Sequence, residues 1–558
     1  MNDRIRVFAL GGLDEIGKNC YVVEINSDIF VIGAGVRFPD KTQPGVDYVI
    51  PDFTYLKEHK NQIKGYFLPH GHDDETGALA YLYNEAPAPI YGSRVTIAMF
   101  QTFARHVKID TSSFNFKIVE PTSTFKVAGR TISFFQTSHN TALSSGIAIS
   151  TSYGNVIFPS DFVIENNADK NYRYDMNALS KIGEEPTLAL FLESYYAHRS
   201  GYTAPNYKLT PLIETKIKDA PGRVFTALFT PNCYNIDEII SLAISSHRRI
   251  VPYDKETTEA IEEMQRSNQL MIPSENYAAS DDINRYRDAD LLVLVLGYPA
   301  KIFSKIALLA AGQAESGRVV KLKPTDTFIL AAPSDDNTEL EATDALDELY
   351  RSGCEVHNIN KKEFLMMHAS EEDIKMMISI LNPKYYVPVK GFYKDLLANA
   401  QVAVSMKGKL NHTNIFLLEN GLSVIFDEKG GHIQNENIPH GDILIDGSGV
   451  GDVGEFVLSD RQKLSEGVVI LSCSLDKKTH ALIAGPDVQM RGMLLTKDAE
   501  TVLREVTKVF QNTLDDSLDK RGNFNINQVK QNIYDKCAYT IRRLTGKEPM
   551  VLPIILEI

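Results

Sequence analysis

The stretch Pro69-His70-Gly71-His72-Asp73-Asp74-Glu75-Thr76-Gly77 constrains this chain more than any other. Neighbours on one helix face lie three or four residues apart, so two histidines at a spacing of two belong to a tight loop. Residues 63–68 read as a strand and 76–84 as a helix. A strand-to-helix loop with two imidazoles and three carboxylates brings metal-ligating groups to the edge of a sheet.

Two histidines in a loop are often plain surface residues, so the remainder of a ligand set has to appear downstream. Phe134-Phe135-Gln136-Thr137-Ser138-His139 is a short apolar strand ending in a histidine, and Val156-Ile157-Phe158-Pro159-Ser160-Asp161 is one ending in an aspartate. His70, His72, His139 and Asp161 together supply three imidazoles and a carboxylate, a set suited to zinc or manganese.

At 558 residues, 43% hydrophobic and 23% charged, the chain has the length and composition of a globular protein of several domains. Its five cysteines are scattered and show no CxxC spacing, which argues against a disulfide framework and for a reducing compartment. The opening residues carry no signal-peptide pattern, and no apolar run approaches membrane-spanning length, so the expectation is a cytoplasmic protein. A net charge of −14 offers no global attraction for a polyanion, which would need a local basic groove.

Residues 1–160 alternate short strands with polar turns. From about residue 209 the texture becomes α/β: helices over 211–218 and 236–246, strands over 223–229 and 328–332, and the fully apolar strand Leu291-Leu292-Val293-Leu294-Val295-Leu296. Such alternation predicts a parallel sheet. The Gly- and Asn-rich segment 427–439 reads as a linker, and strands and two helices after it make a small α+β tail. Gly449-Val450-Gly451-Asp452-Val453-Gly454 fits GxGxxG but leads into Glu455-Phe456-Val457-Leu458, read as a strand, so it is taken as a glycine-rich turn rather than a pyrophosphate site.

On these residues the chain resembles the ribonuclease J family along essentially its whole length. The resemblance rests on Ala9-Leu10-Gly11-Gly12-Leu13-Asp14-Glu15-Ile16-Gly17-Lys18-Asn19, on Gly45 to Asp52, on the HxHxD loop, on Asp446 to Asp452 and on the ending Arg542 to Ile554. It implies an α/β protein: a metallo-β-lactamase αββα sandwich in two parts, 1–208 and 371–426, with an inserted β-CASP domain over 209–370. A linker, 427–445, and an α+β C-terminal domain used in dimer contacts, 446–558, complete it. It further implies hydrolysis of RNA, as a 5′→3′ exonuclease with some endonuclease activity, by two divalent metals, in rRNA maturation and mRNA decay.

Carried over residue by residue, the resemblance assigns the first metal to His70, His72 and His139, with Asp161 as bridging carboxylate, and leaves Asp74 at the second. Glu75 stands where the family has a histidine, and Lys390 follows Val387-Pro388-Val389 where the family has another. Ile32-Gly33-Ala34-Gly35 replaces Ile-Asp-Ala-Gly, losing a supporting aspartate. Asp74, Glu193 and His368 remain as catalytic candidates. The RNA- and phosphate-contact loops run through Leu296, Gly297 and Tyr298 and through Met366, Met367, His368 and Ala369, where apolar residues have replaced small polar ones.

A protonated lysine has donors and no lone pair, so the expectation is at most one tightly bound zinc or manganese ion per chain, against two in the family. Lys390 would pair with Asp74 and Glu75 in the second metal's place, or swing to solvent. This profile resembles the second, partner-type paralogue that some bacteria keep beside a fully equipped one. It implies a protein weakly active or inactive by itself that acts as a structural partner of an active paralogue. The alternative is an autonomous slow manganese- or zinc-dependent exoribonuclease using Glu75 as a ligand. The partners implied are RNA and either a second copy or the active paralogue, with neither membrane nor DNA.

Overall fold

The computed structural model describes residues 2–40, 42–165, 171–313, 320–334, 338–436, 438–447, 449–451, 453–493, 496–518 and 525–558. The chain divides into two compact units, one of residues 1–38 and 49–443 and one of residues 39–48 and 444–558.

In the larger unit two sheets pack face to face. One has eight strands in the order Gly430–Gln434, Ser423–Asp427, Ile5–Gly11, Cys20–Ile25, Asp28–Ile32, Ile63–Phe67, Ile90–Gly92 and Phe116–Ile118. The other has six: Tyr385–Val389, Thr187–Glu193, Gly154–Phe158, Ser145–Thr151, Arg130–Gln136 and Thr124–Val127. Inward side chains from both, among them Val7, Val23, Phe30, Ile32, Phe134, Ile147, Phe158 and Val387, form one buried cluster. The second sheet's outer face is covered by helices Met176–Glu184, Glu371–Leu381 and Tyr393–Ser405, through Leu179, Ile374, Met377 and Val402.

Strands Thr187–Glu193 and Tyr385–Val389 are parallel neighbours, with Glu193 opposite Val389. The chain between them forms a separate five-stranded, all-parallel sheet in the order Arg249–Pro252, Leu291–Gly297, Val224–Phe229, Thr327–Leu330 and Glu355–Asn358. Apolar clusters cover both of its faces, which is why Leu291–Gly297 reads as an unbroken apolar run. An α/β domain is thus inserted between two adjacent strands of the sandwich.

In the smaller unit a sheet in the order Leu482–Arg491, Val468–Leu475 and Met550–Glu557 packs on helices Thr496–Leu518 and Ile526–Thr545. Among the described residues no helix is long and apolar enough to cross a membrane.

Two readings of the sequence are corrected. The segment taken as a linker, 427–445, holds the strand Gly430–Gln434, which pairs antiparallel with Ser423–Asp427 at the edge of the eight-stranded sheet; its glycines form a hairpin rather than a tether. Residues read as a strand after the glycine-rich motif form the helix Glu455–Ser465. The motif itself lies on an antiparallel pair, Asp442–Asp446 with Gly449–Val450, not on the parallel β-α-β unit that positions a dinucleotide. Ser448 and Asp452 of that stretch lie outside the described residues.

Candidate metal centre

The HxHxD loop follows strand Ile63–Phe67, and a single helical turn, Asp73–Thr76, begins right after His72. That turn is pinned to the end of strand Asp28–Ile32: Ala34 N–H donates to the Glu75 carbonyl at 2.7 Å, Val36 N–H to that of Asp73 at 2.9 Å, and Asn19 N–H to that of Asp74 at 3.0 Å. Gly35 makes this approach possible, since a Cβ there would lie 1.6 Å from the Asp74 carbonyl oxygen.

His70, His72 and His139 meet with ring centroids 4.7–5.0 Å apart. Each outer nitrogen has a partner: His70 Nδ1 faces Ser160 Oγ at 3.3 Å, His72 Nε2 the Pro231 carbonyl at 3.3 Å, and His139 Nδ1 the Met367 carbonyl at 2.8 Å. Their carbonyl partners make His72 Nε2 and His139 Nδ1 the donors, which leaves His72 Nδ1 and His139 Nε2 as inward lone pairs 3.4 Å apart, with His70 Nε2 3.2 Å from His72 Nδ1. Burial pushes all three imidazoles below their ordinary range, so they are neutral. Asp161 Oδ2 lies 3.4 Å from His70 Nε2 and 3.9 Å from His139 Nε2. Three converging neutral imidazoles beside a carboxylate fit one divalent cation.

The second position does not fit one. Lys390 Nζ lies 2.5 Å from Glu75 Oε1, 2.8 Å from Asp161 Oδ1 and 3.2 Å from Ser160 Oγ. Burial opposes the charge on the lysine, yet Asp161 and Glu75 outweigh it and hold the ammonium well above its ordinary range. Asp161, despite its own burial, is held well below the usual carboxylate range, chiefly by Lys390. Burial pushes the Glu75 carboxyl up to about 8, with Lys390 opposing. The ammonium and the Asp161 carboxylate are therefore the firm charges of this network. The expected pairing is corrected in one respect: Lys390 takes Asp161 with Glu75, while Asp74 accepts from Asn19 Nδ2 at 3.1 Å.

Lys390 and Ser160 sit at φ +58° and +62°, a left-handed conformation that costs a non-glycine residue about 1–2 kcal/mol. Both end strands of the six-stranded sheet, and the turn there aims their side chains at the site. Gly33, at φ +69°, adds a feature the sequence did not connect: a Cβ there would stand 2.9 Å from Glu75 Oε2. Any side chain at 33 and the Glu75 carboxylate would thus compete for one space. The small cavity lined by Tyr21, Ile32, Glu75, Ser160 and Lys390 has room for about one water.

Glu193 is buried and accepts from Phe162 N–H at 2.8 Å and Ala369 N–H at 3.1 Å, while its other oxygen lies 2.8 Å from His368 Nδ1. Among the described residues, ligand atoms come within 4.8 Å of one another in three groups: the histidine trio; Asp161, Glu193 and His368; and Asp74, Glu75 and Asp161. Of the proposed phosphate-contact loops, Leu296, Gly297, Met367 and Ala369 are buried, so their side chains cannot line a surface for RNA. Tyr298, Met366 and His368 are partly exposed. The Leu296 carbonyl instead accepts from Lys305 Nζ at 2.7 Å, a buried lysine also held by Asp254 and Glu256. Sequence reasoning did not single out Lys305, because a lone lysine inside an amphipathic helix gives no local signal.

A two-sheet sandwich with histidines at its edge, interrupted by a parallel α/β domain, defines a metallo-β-lactamase-fold protein of the β-CASP type. The domain family described as "Ribonuclease J, beta-CASP domain" matches residues 221–346, and "Ribonuclease J C-terminal domain" matches 456–558. Over 560 residues the chain is 30% identical to Ribonuclease J 2 of Staphylococcus epidermidis, covering 100% of this chain and 99% of that one. Ribonuclease J 2 of Staphylococcus aureus is 30% identical over 558 residues with the same coverage. A crystal structure of a protein of unknown function from Enterococcus faecalis V583 shares the fold, with TM-score 0.52 and 14% identity, covering 76% of this chain and 100% of that one. The chain belongs to the ribonuclease J family, and the two relatives named above both carry the name Ribonuclease J 2.

Proposed function

We propose that this chain is a ribonuclease J-type RNA-processing protein, weakly active or inactive alone, that serves chiefly as a structural partner of an active paralogue. The observation that carries the reading is the Lys390 ammonium between Glu75 and Asp161. Two-metal hydrolysis relies on a pair of ions to generate hydroxide near neutral pH and to hold both the attacking and the leaving oxygen. An ammonium offsets carboxylate charge but has no open coordination position. When present, one ion held by His70, His72 and His139 would act as a Lewis acid; the chain's own groups keep those imidazoles neutral and oriented.

The alternative, an autonomous slow nuclease with Glu75 as a substitute ligand, requires Glu75 to leave its buried contact with Lys390 Nζ, 2.5 Å away. In the partner role, strand Met550–Glu557 supports a second copy or the paralogue: it lies at a sheet edge and exposes Leu552, Ile554 and Leu556 in alternation.

The test is hydrolysis of 5′-monophosphorylated RNA during titration with manganese or zinc, by this protein alone, by the active paralogue alone and by the two together. The expected result is little hydrolysis alone and altered activity in the mixture. Metal-dependent turnover by this chain comparable to the paralogue's would overturn the reading.

A further inference from the structure

The parallel neighbours Thr187–Glu193 and Tyr385–Val389 do more than bring Glu193 and Lys390 together. Each continues past the site into an aromatic, cationic stretch, the loop Ser194-Tyr195-Tyr196-Ala197-His198-Arg199 and the loop-to-helix junction Gly391-Phe392-Tyr393-Lys394. The loops are tied side by side: Ser194 N–H donates to the Lys390 carbonyl at 3.1 Å, and His198 Nδ1 lies 3.6 Å from Asp395 at the start of helix Tyr393–Ser405.

Beside the metal centre, Tyr195 and Tyr196 both pack on His368. His368 lies 5.4 Å, centroid to centroid, from His139 and 4.7 Å from Tyr195, which is 4.9 Å from Tyr196. The Arg199 guanidinium stands over Tyr196 at 4.8 Å, and Lys394 Nζ lies 5.8 Å from the Phe392 ring. Phe392 and Tyr393 are 44% and 51% exposed. Of the nearby carboxylates, Asp395 is buried, whereas Asp14 is exposed and accepts the Tyr393 N–H at 2.8 Å.

Half-exposed aromatic rings contribute little to a core, and placed beside cations they have the composition of surfaces that hold unpaired bases and a phosphate backbone. We propose that these two loops form a stacking platform for single-stranded RNA at the mouth of the site, with Phe392 and Tyr393 taking bases and Lys394 and Arg199 facing phosphate. The proposal rests on the reading that the chain handles RNA and deepens it: the platform holds a strand whether or not the site cuts it. In a chain of net charge −14, the base faces supply attraction that the overall field does not.

The test uses the full-length protein in chelator, so that nothing is cleaved, and fluorescence anisotropy with oligouridylate and an abasic oligomer of equal length. The double variant Phe392→Ala with Tyr393→Ala is expected to bind oligouridylate roughly tenfold or more weakly, with abasic binding and the salt slope unchanged. Phe392→Trp is expected to retain binding, which separates loss of stacking from misfolding, and Lys394→Gln to lower the salt slope by about one. Unchanged oligouridylate affinity in the alanine pair, or an equal loss for the abasic oligomer, would overturn the platform. So would loss of binding to the active paralogue with RNA affinity intact, which would make the surface a protein interface. Failure of the parent protein to bind any RNA would sink the RNA reading itself.

Discussion

Replacing an imidazole with an ammonium changes which charges the surrounding carboxylates need. One oxygen of Asp161 faces the histidine trio and the other Lys390. Removing one partner of a buried pair leaves an uncompensated charge, at a cost of about 3–5 kcal/mol. Lys390→Met is therefore expected to lower unfolding free energy by that order in chelator, measured by urea denaturation. A loss below about 1 kcal/mol, the range of exposed pairs, would mean that Lys390 is not part of the buried network. The double change Glu75→His with Lys390→His is expected to create a second metal position and raise hydrolysis. Each single change should do much less, because the groups act as one unit; isothermal titration with manganese distinguishes additive from coupled gains. Additive single-site effects would contradict the account. Restoring aspartate at Gly33 is a poorer test, because φ there is +69° and a side chain would be strained.

At the scale of elements, the two proposed phosphate-contact loops present few side-chain donors: of their partly exposed residues, Tyr298 and His368 carry one and Met366 does not. Leu296 and Met367 are buried, and the side chain of partly exposed Met366 offers no N–H or O–H to an anion. Affinity for 5′-monophosphate and 5′-hydroxyl RNA is accordingly expected to be similar in a competition assay; a strong preference for the monophosphate would contradict this. Most elements were legible because their signal is local. Leu291–Gly297 shows itself by unbroken hydrophobicity, Glu371–Leu381 and Ile526–Thr545 by helical periodicity, and His139, Asp161 and Lys390 by standing just past apolar strands. What was not legible depends on partners far along the chain. Gly430–Gln434 is a strand because Ser423–Asp427 lies beside it, and Glu455–Ser465 is a helix although its apolar run is too short to set a period. Likewise, Gly33 and Glu75 are both visible in the sequence, but their competition for one space is a tertiary fact.

The molecule as a whole combines a sandwich whose edge loops bring the histidine trio together with a tail whose edge strand shows an apolar row. If that row is the proposed interface, Ile554→Asp with Leu556→Asp should shift the protein from dimer toward monomer in sedimentation velocity while leaving its melting cooperative. An unchanged sedimentation coefficient for a dimeric parent would place the interface elsewhere. The central claim, that Lys390 stands where a second metal would be, is tested most directly by counting metals. Protein saturated with manganese or zinc near neutral pH, desalted and measured by native mass spectrometry with elemental analysis is expected to retain at most one ion per chain; two tightly held ions per chain would contradict it.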